Sequence, residues 1–218
     1  FVDFSGSLVY FDSLENLEIT PDGKILAVGS IFIGSSPTNY GVVRFNPDGS
    51  LDTSFTPVTF MSDTPKVVRV LPNGQIVVGG NFSGLNTATR PGIARLNANG
   101  SVDSSYLPSL SSQNFSPSVT EIIVQSSGKV LVAGNFDQVG GINRKSFALL
   151  NSDGTLDVAF NPTFTGIIHV LEQLQNGNIL VGGTFTSINS TPRNNLAILL
   201  PTGDLDVSFN TGTTMTPA

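Results

Sequence analysis

The chain has 218 residues, 39% of them hydrophobic, so it can bury a sizeable core, while charged residues are only 12%. A net charge of −6 with no Lys/Arg cluster argues against nucleic-acid partners, which need a basic face to replace counterions. No apolar run is long enough for a membrane-spanning helix, so membrane insertion is not expected, and the lack of cysteine removes disulfides and thiolate chemistry.

The chain opens on Phe1 rather than Met, as a processed or cut terminus would. Val2-Asp3-Phe4 has the form of the end of a repeat unit, because Phe4 precedes Gly23 by 19 residues and Phe55 precedes Gly74 by 19. The first full marker is a turn leading into an apolar strand, Pro21-Asp22-Gly23-Lys24-Ile25-Leu26. It returns as Pro72-Asn73-Gly74-Gln75-Ile76-Val77, Ser126-Ser127-Gly128-Lys129-Val130-Leu131 and Gln175-Asn176-Gly177-Asn178-Ile179-Leu180. A second marker follows each time, Asn46-Pro47-Asp48-Gly49-Ser50-Leu51-Asp52 and its counterparts around Gly100, Gly154 and Gly203. Both sets of glycines are spaced by 51, 54 and 49 residues, and two synchronous markers define a tandem repeat.

The repeat divides the chain into units at about 4–54, 55–105, 106–159 and 160–209, with a tail at 210–218. In the second unit the apolar stretches are Val67 to Leu71, Gln75 to Phe82, Gly92 to Leu96 and Ser101 to Tyr106. Gly with Asn or Asp before it separates the first two and the last two, and a polar loop over 83–91 joins the middle pair. Each unit is therefore predicted to be a four-stranded antiparallel meander, and no helix is predicted. Ile31, Phe82, Phe136 and Phe185 recur at one position, and Phe55, Tyr106, Phe160 and Phe209 close the units; both sets are predicted core. Gly29, Gly80, Gly134 and Gly183 end the second strands, which predicts a bulge or a close approach of two backbones there. Such sheets bury their faces by stacking, and a radial array also hides the ends, so the predicted fold is an all-β propeller. The unit count suits a closed four-bladed ring and a slice of a longer array equally.

Val78-Gly79-Gly80-Asn81-Phe82, Ala94-Arg95-Leu96-Asn97 and Ser101-Val102-Asp103 carry a specific likeness. The chain resembles the delta-60 repeat family of bacterial and phage β-propeller-like proteins over nearly its whole length. Unit one departs at Val28-Gly29-Ser30-Ile31 and unit four at Leu199-Leu200-Pro201-Thr202. The resemblance implies a repeat of large secreted or surface proteins and virion parts; it implies no activity.

His169 is the sole histidine, so neither a metal cluster nor a Ser-His-Asp arrangement can be assembled around a second one. Asp52, Asp103, Asp157 and Asp206 hold one repeat position, and identical placement suits a structural role rather than a catalytic pair. Arg90, Arg144 and Arg193 also share one position, with Asn39 in unit one, and are predicted to form ion pairs with those aspartates. Asn46, Asp48 and Asp52, like Asn151, Asp153 and Asp157, have calcium-like spacing but lack a distal bidentate Glu, which favours a plain hairpin turn. The sequons at Asn81, Asn99, Asn114 and Asn189 are expected by chance in so Asn/Ser/Thr-rich a chain. No catalytic residue, cofactor site or metal site is assigned.

The non-repeating parts are where specific recognition is expected: Ile33 to Tyr40, Ser83 to Pro91, Asp137 to Lys145, Thr186 to Asn195 and the longer loop Pro108 to Ser118. The expected function is a non-enzymatic binding or structural module of a secreted, cell-surface or virion assembly. Its partner is expected to be a protein of that assembly or a surface glycan, with the chain part of a longer chain or an oligomer. The competing class is a polysaccharide-acting hydrolase or lyase using loop acids such as Asp12, Glu15, Asp63 and Asp137.

Overall fold

The computed structural model describes residues 8–210; Val2-Asp3-Phe4 and residues 211–218 of the predicted tail lie outside the described residues. Unit one supplies β1 (Val9–Ile19), β2 (Ile25–Ile33) and β3 (Asn39–Phe45). Unit two follows with β4 (Phe60–Met61), β5 (Pro65–Val70), β6 (Ile76–Gly80), β7 (Gly84–Leu85), β8 (Ala88–Thr89) and β9 (Ile93–Leu96). Unit three has β10 (Leu110–Ser111), β11 (Ser118–Val124), β12 (Val130–Asn135), β13 (Gln138–Val139), β14 (Ile142–Asn143) and β15 (Phe147–Leu150). Unit four has β16 (Ile168–Gln173), β17 (Ile179–Gly183), β18 (Ser187–Ile188), β19 (Thr191–Pro192) and β20 (Leu196–Leu199). The described residues contain no helix.

Four antiparallel blades result, ordered β1-β2-β3, β5-β6-β9, β11-β12-β15 and β16-β17-β20. Their first two strands meet at the glycine turns, whose positive φ values of 80–84° favour a residue without Cβ. The predicted fourth strand is not formed. It shrinks to one antiparallel bridge per unit, Phe45–Leu51, Leu96–Val102, Leu150–Leu156 and Leu199–Leu205. The cause is the aspartate that follows. Its Oδ1 accepts the amide two residues on, at Ser54, Ser105, Ala159 and Ser208, and this Asx-type turn takes the chain out of the sheet.

The polar loops also hold structure that the sequence pattern did not predict. β7 and β8 form a hairpin that pairs with β4, β13 and β14 one that pairs with β10, and β18 pairs β19 with Phe164 bridging to Ile188. Unit one differs, because β2 and β3 stay paired out to Phe32 and Asn39.

The first strands line the inner side. β1 packs on β5, β5 on β11 and β11 on β16, and no comparable contact joins β16 back to β1. The chain is thus an arc of four propeller blades and not a closed four-bladed ring.

The core lies between blades. Leu26, Val28 and Val42 of unit one interlock with Val68, Ile76 and Val78 of unit two, and the next two blade pairs repeat the arrangement. Ile31, Phe82, Phe136 and Phe185 are fully buried, as the repeat predicted, each side chain contributing on the order of 2–3 kcal/mol. Register shifts between Pro65 and Val67, Val119 and Glu121, and Ile168 and Val170 lie opposite the strand-ending glycines. The backbones touch there: a Cβ on Gly134 would stand 2.1 Å from the Ser118 carbonyl oxygen, and one on Gly183 would stand 2.0 Å from that of Ile167. Gly134→Ala is therefore expected to destabilise the chain by about 1–3 kcal/mol, read by denaturant unfolding. A change within about 0.5 kcal/mol would show that the bulge has room to relax.

Candidate functional site

Asp52, Asp103 and Asp157 are ion-paired, but with other cations than the sequence suggested. Asp52 Oδ2 takes Lys24 Nζ at 2.8 Å and Arg44 Nε at 2.7 Å. Asp103 Oδ2 takes Arg95 Nε and Nη2, both at 2.8 Å, and Gln75 Nε2 at 3.0 Å. Asp157 takes Lys129 at 2.7 Å. Asp206 is held by the hydroxyl and amide of Ser208. The pairing follows strand order. The Asp52 amide bonds the Arg44 carbonyl and the Asp103 amide that of Arg95, so the side chains of those pairs meet across the sheet.

Burial pushes the Asp103 carboxyl up, but Ser105, through hydroxyl and amide, and Arg95 outweigh it and bring it down to about 2. Burial likewise opposes Lys24, Ser54 and Arg44 at Asp52, and the result is well below the usual carboxylate range.

Arg90, Arg144 and Arg193 do not pair with these aspartates, whose oxygens are already engaged. They hold main-chain carbonyls instead. Arg90 Nη2 donates to Ser104 at 3.4 Å and Arg144 Nη2 to Val158 at 2.9 Å, each the residue just after the repeated Asp. Arg193 donates to Pro192 O and Asn210 Oδ1. Asn39 makes short neutral contacts with the Ile31 amide and the Ser30 hydroxyl. The arginine set therefore ties each loop to the end of its own unit or the residue just past it, and it does not converge on one pocket.

Arg44 and Arg95 are residues that sequence reasoning missed, although the Arg-to-Asp spacing of eight in Arg44/Asp52 and Arg95/Asp103 was there to read. Each reaches into the following unit, Arg44 Nη1 to the Ala98 carbonyl at 2.5 Å and Arg95 Nη1 to that of Ser152. Each also lies over its unit's closing ring, 4.8 Å from the Phe55 centroid and 4.3 Å from that of Tyr106.

The calcium-like run is a self-satisfied turn. Asp48 Oδ1 accepts the Ser50 amide and hydroxyl, Asn46 donates to Ser50, and the Asp52 oxygens are occupied as above. Among the described residues no group of three or more His, Cys, Asp or Glu could hold a metal ion, and His169 is exposed on β16. The loop acids stand apart. Glu15 pairs with Lys66 at 3.1 Å, Asp63 accepts the Thr64 amide and Asn81, Asp137 accepts Ser112, and Asp12 is exposed on β1. Asp63 and Asp137 line two different concavities.

Two other concavities lie along the blades. One, of about 590 Å³, lies where the inner strands of all four blades end, with Glu18, Arg69, Ile123 and Glu172 on its wall. Arg69 there donates to Asn16 Oδ1 at 3.0 Å and lies 3.9 Å from Glu18, while burial pushes nearby Glu121 up against the pull of Arg69. The other, of about 540 Å³, lies between units two and three and is walled by Lys66, Asn81, Phe115, Ser118, Thr120 and Asn135. Phe115 comes from the long loop 108–118, which no other unit possesses, and its ring is 38% exposed.

Two outcomes follow from the Asp103 cluster. The folded carboxyl binds its proton more weakly than the unfolded one, so its stabilisation is present above about pH 4 and is lost as pH falls through about 2. Asp103→Asn should cost about 1–2 kcal/mol at pH 7 in denaturant unfolding, with the gap to wild type closing towards pH 2; a gap independent of pH would contradict the ion pair. Tyr106 buries a hydroxyl that has no partner among the described residues, and burial pushes its pKa up, keeping the phenol neutral. Tyr106→Phe should leave stability unchanged or raise it by up to about 1 kcal/mol; a loss of that size would reveal a partner for the hydroxyl.

A family model described as "Domain of unknown function (DUF5122) beta-propeller" matches residues 20–55, 71–106, 125–160 and 174–209. The four matches fall one to a blade and end on the closing aromatic or beside it. No curated protein matches the chain. With more than half of its length matched and the blades in register with the matches, the chain belongs to the DUF5122 β-propeller repeat family, of the delta-60 type.

Proposed function

We propose that the chain is a non-enzymatic binding or structural module of a secreted, cell-surface or virion assembly, and that it contacts a glycan or protein through its non-repeating loops. One observation carries this reading. The concavity between units two and three joins a lone exposed ring, Phe115, to the amides of Asn81 and Asn135 and the hydroxyls of Ser118 and Thr120. An exposed apolar face among amide and hydroxyl groups is the chemistry that recognises a sugar ring, stacking on its C–H side while polar groups meet its hydroxyls. Charged groups are sparse there, with Lys66 alone on the wall, which suits a neutral or acidic glycan.

The repeated charged residues support the same reading from the other side. They are consumed by turns and blade contacts, as Asp52, Asp103 and Arg144 illustrate, and so hold the scaffold on which loops differ. A hydrolase or lyase would need two acids in unlike environments at one site, and Asp63 and Asp137 each sit among their own partners.

The test is a glycan array probed with the purified chain, followed by Phe115→Ala. Specific binding without turnover, weakened about tenfold or more by Phe115→Ala while unfolding is unchanged, is the expected result. Degradation of any arrayed polysaccharide, lost on mutating Asp63 or Asp137, would favour the enzyme instead.

A further inference from the structure

We propose that a concavity between units three and four binds a guanidinium group, carried by an arginine side chain of a partner protein. The two preceding junctions supply the template, because each fills the corresponding place with an arginine of its own. Between units one and two, Arg44 Nε meets Asp52 Oδ2 at 2.7 Å, its Nη1 donates to the Ala98 carbonyl at 2.5 Å, and its guanidinium carbon stands 4.8 Å from the Phe55 centroid. Arg95 repeats the three contacts between units two and three, with Asp103, the Ser152 carbonyl and the Tyr106 ring. A guanidinium at this place therefore meets a carboxylate, a ring and a main-chain carbonyl of the following blade.

At the third junction those partners persist and the arginine does not. Along the repeat, Asp157 stands for Asp52 and Asp103, Phe160 for Phe55 and Tyr106, and Pro201 for Ala98 and Ser152. Leu149 takes the arginine position: its carbonyl accepts the Asp157 amide just as those of Arg44 and Arg95 accept the amides of Asp52 and Asp103. Leu149 is buried, so it covers apolar surface as the arginine stems do, but it carries no charged head. A concavity of about 540 Å³ opens there, with Leu149, Asp157, Phe160, Pro201 and Thr202 on its wall. The junction has a described blade on either side, so the site does not depend on what precedes or follows the chain.

The carboxylate at this junction has fewer donors than its counterparts. Asp52 takes Lys24, Arg44 and both the amide and the hydroxyl of Ser54. Asp103 takes Gln75, Arg95 and both groups of Ser105. Asp157 has Lys129 at 2.7 Å and the Ala159 amide, and Ala159 brings no hydroxyl. Lys129 does not close the site, because its counterpart Lys24 shares Asp52 Oδ2 with Arg44. Leu149 has no donor to offer the Pro201 carbonyl. A planar fork of N–H groups can serve the carboxylate and the carbonyl together, whereas an ammonium is a point charge. The carrier is a protein segment because the concavity is larger than a guanidinium, and Gln125, Ser127 and Thr202 on its wall offer amide and hydroxyl groups to flanking main chain. This site is separate from the concavity beside Phe115 and stands whichever way the glycan array falls.

The test is a titration of the isotope-labelled full chain, followed through its amide resonances, with a capped Gly-Arg-Gly peptide. The lysine and citrulline versions of that peptide and free agmatine are titrated in parallel. The arginine peptide should shift the Ala159 and Thr202 amides saturably and bind about tenfold or more tightly than the lysine peptide or agmatine, while the neutral citrulline peptide shifts neither. Leu149→Arg should supply the guanidinium from within the chain, raising the unfolding midpoint and abolishing peptide binding. Asp157→Asn should weaken the arginine peptide about tenfold or more while circular dichroism stays β-type, and it decides the matter alone if Leu149→Arg does not fold. No saturable binding up to about 10 mM, equal binding of the citrulline peptide, or binding that survives Asp157→Asn would overturn the site. Agmatine binding as tightly as the peptide would overturn the protein partner.

Discussion

Consecutive blades are keyed together where the closing ring of one lies over the turn glycine of the next, as Tyr106 does over Gly154. The turn demands positive φ, near 90° at Gly154 and Gly203, and the ring demands that no Cβ project towards it. One residue type meets both demands. Once the ring is seated, the rest of the junction is placed: Ile122 and Val130 meet Val77 and Ile93 in one buried apolar cluster. A single blade has too little apolar surface to be stable on its own, so this contact between blades is also what makes each blade's hairpins worth forming.

Polar ties reinforce the junctions unequally. Between units one and two, Arg44 bridges Asp52, the Phe55 ring and the Ala98 carbonyl, and Thr56 N bonds Asn99 O. Arg95 does the same between units two and three. Leu149 replaces the arginine at the third junction, where apolar packing takes over, with Phe147, Phe160, Phe164 and Phe185 in tilted or edge-on contact. The scaffold thus needs only local pairs of side chains at each junction, and the loops between β-strands are free to differ.

The turns, the apolar strands and the blade count were legible because each rests on local chemistry that repeats: glycine at positive φ, and rings at fixed offsets. The missing fourth strand was not, since Ser101 to Tyr106 has strand-like alternation and only the Asp103 carboxylate capping Ser105 shows that the chain turns away. The loop hairpins were hidden by their two-residue strands, although Asn86, Gly140-Gly141 and Asn189-Ser190, all at positive φ, mark their turns. Symmetry identified Arg90, Arg144 and Arg193 as sharing a job but could not name the acceptor, which is a carbonyl because Arg95 and Lys129 had already claimed the carboxylates. The concavity beside Phe115 was only half visible: the long loop was plain, and its meeting with Asn81 and Asn135 depends on how blades two and three pack.

The keyed junction is tested most directly by a double-mutant cycle on Tyr106 and Gly154, because the atoms nearest to a Cβ at that glycine all belong to the Tyr106 ring. Stability would be measured by denaturant unfolding for wild type, Gly154→Ala, Tyr106→Leu and the double variant. The positive-φ cost of alanine is common to both backgrounds and cancels. If the ring keys the junction, Gly154→Ala is more damaging beside Tyr106 than beside leucine, with a coupling of about 1 kcal/mol or more. Losses that simply add, within about 0.3 kcal/mol, would contradict it.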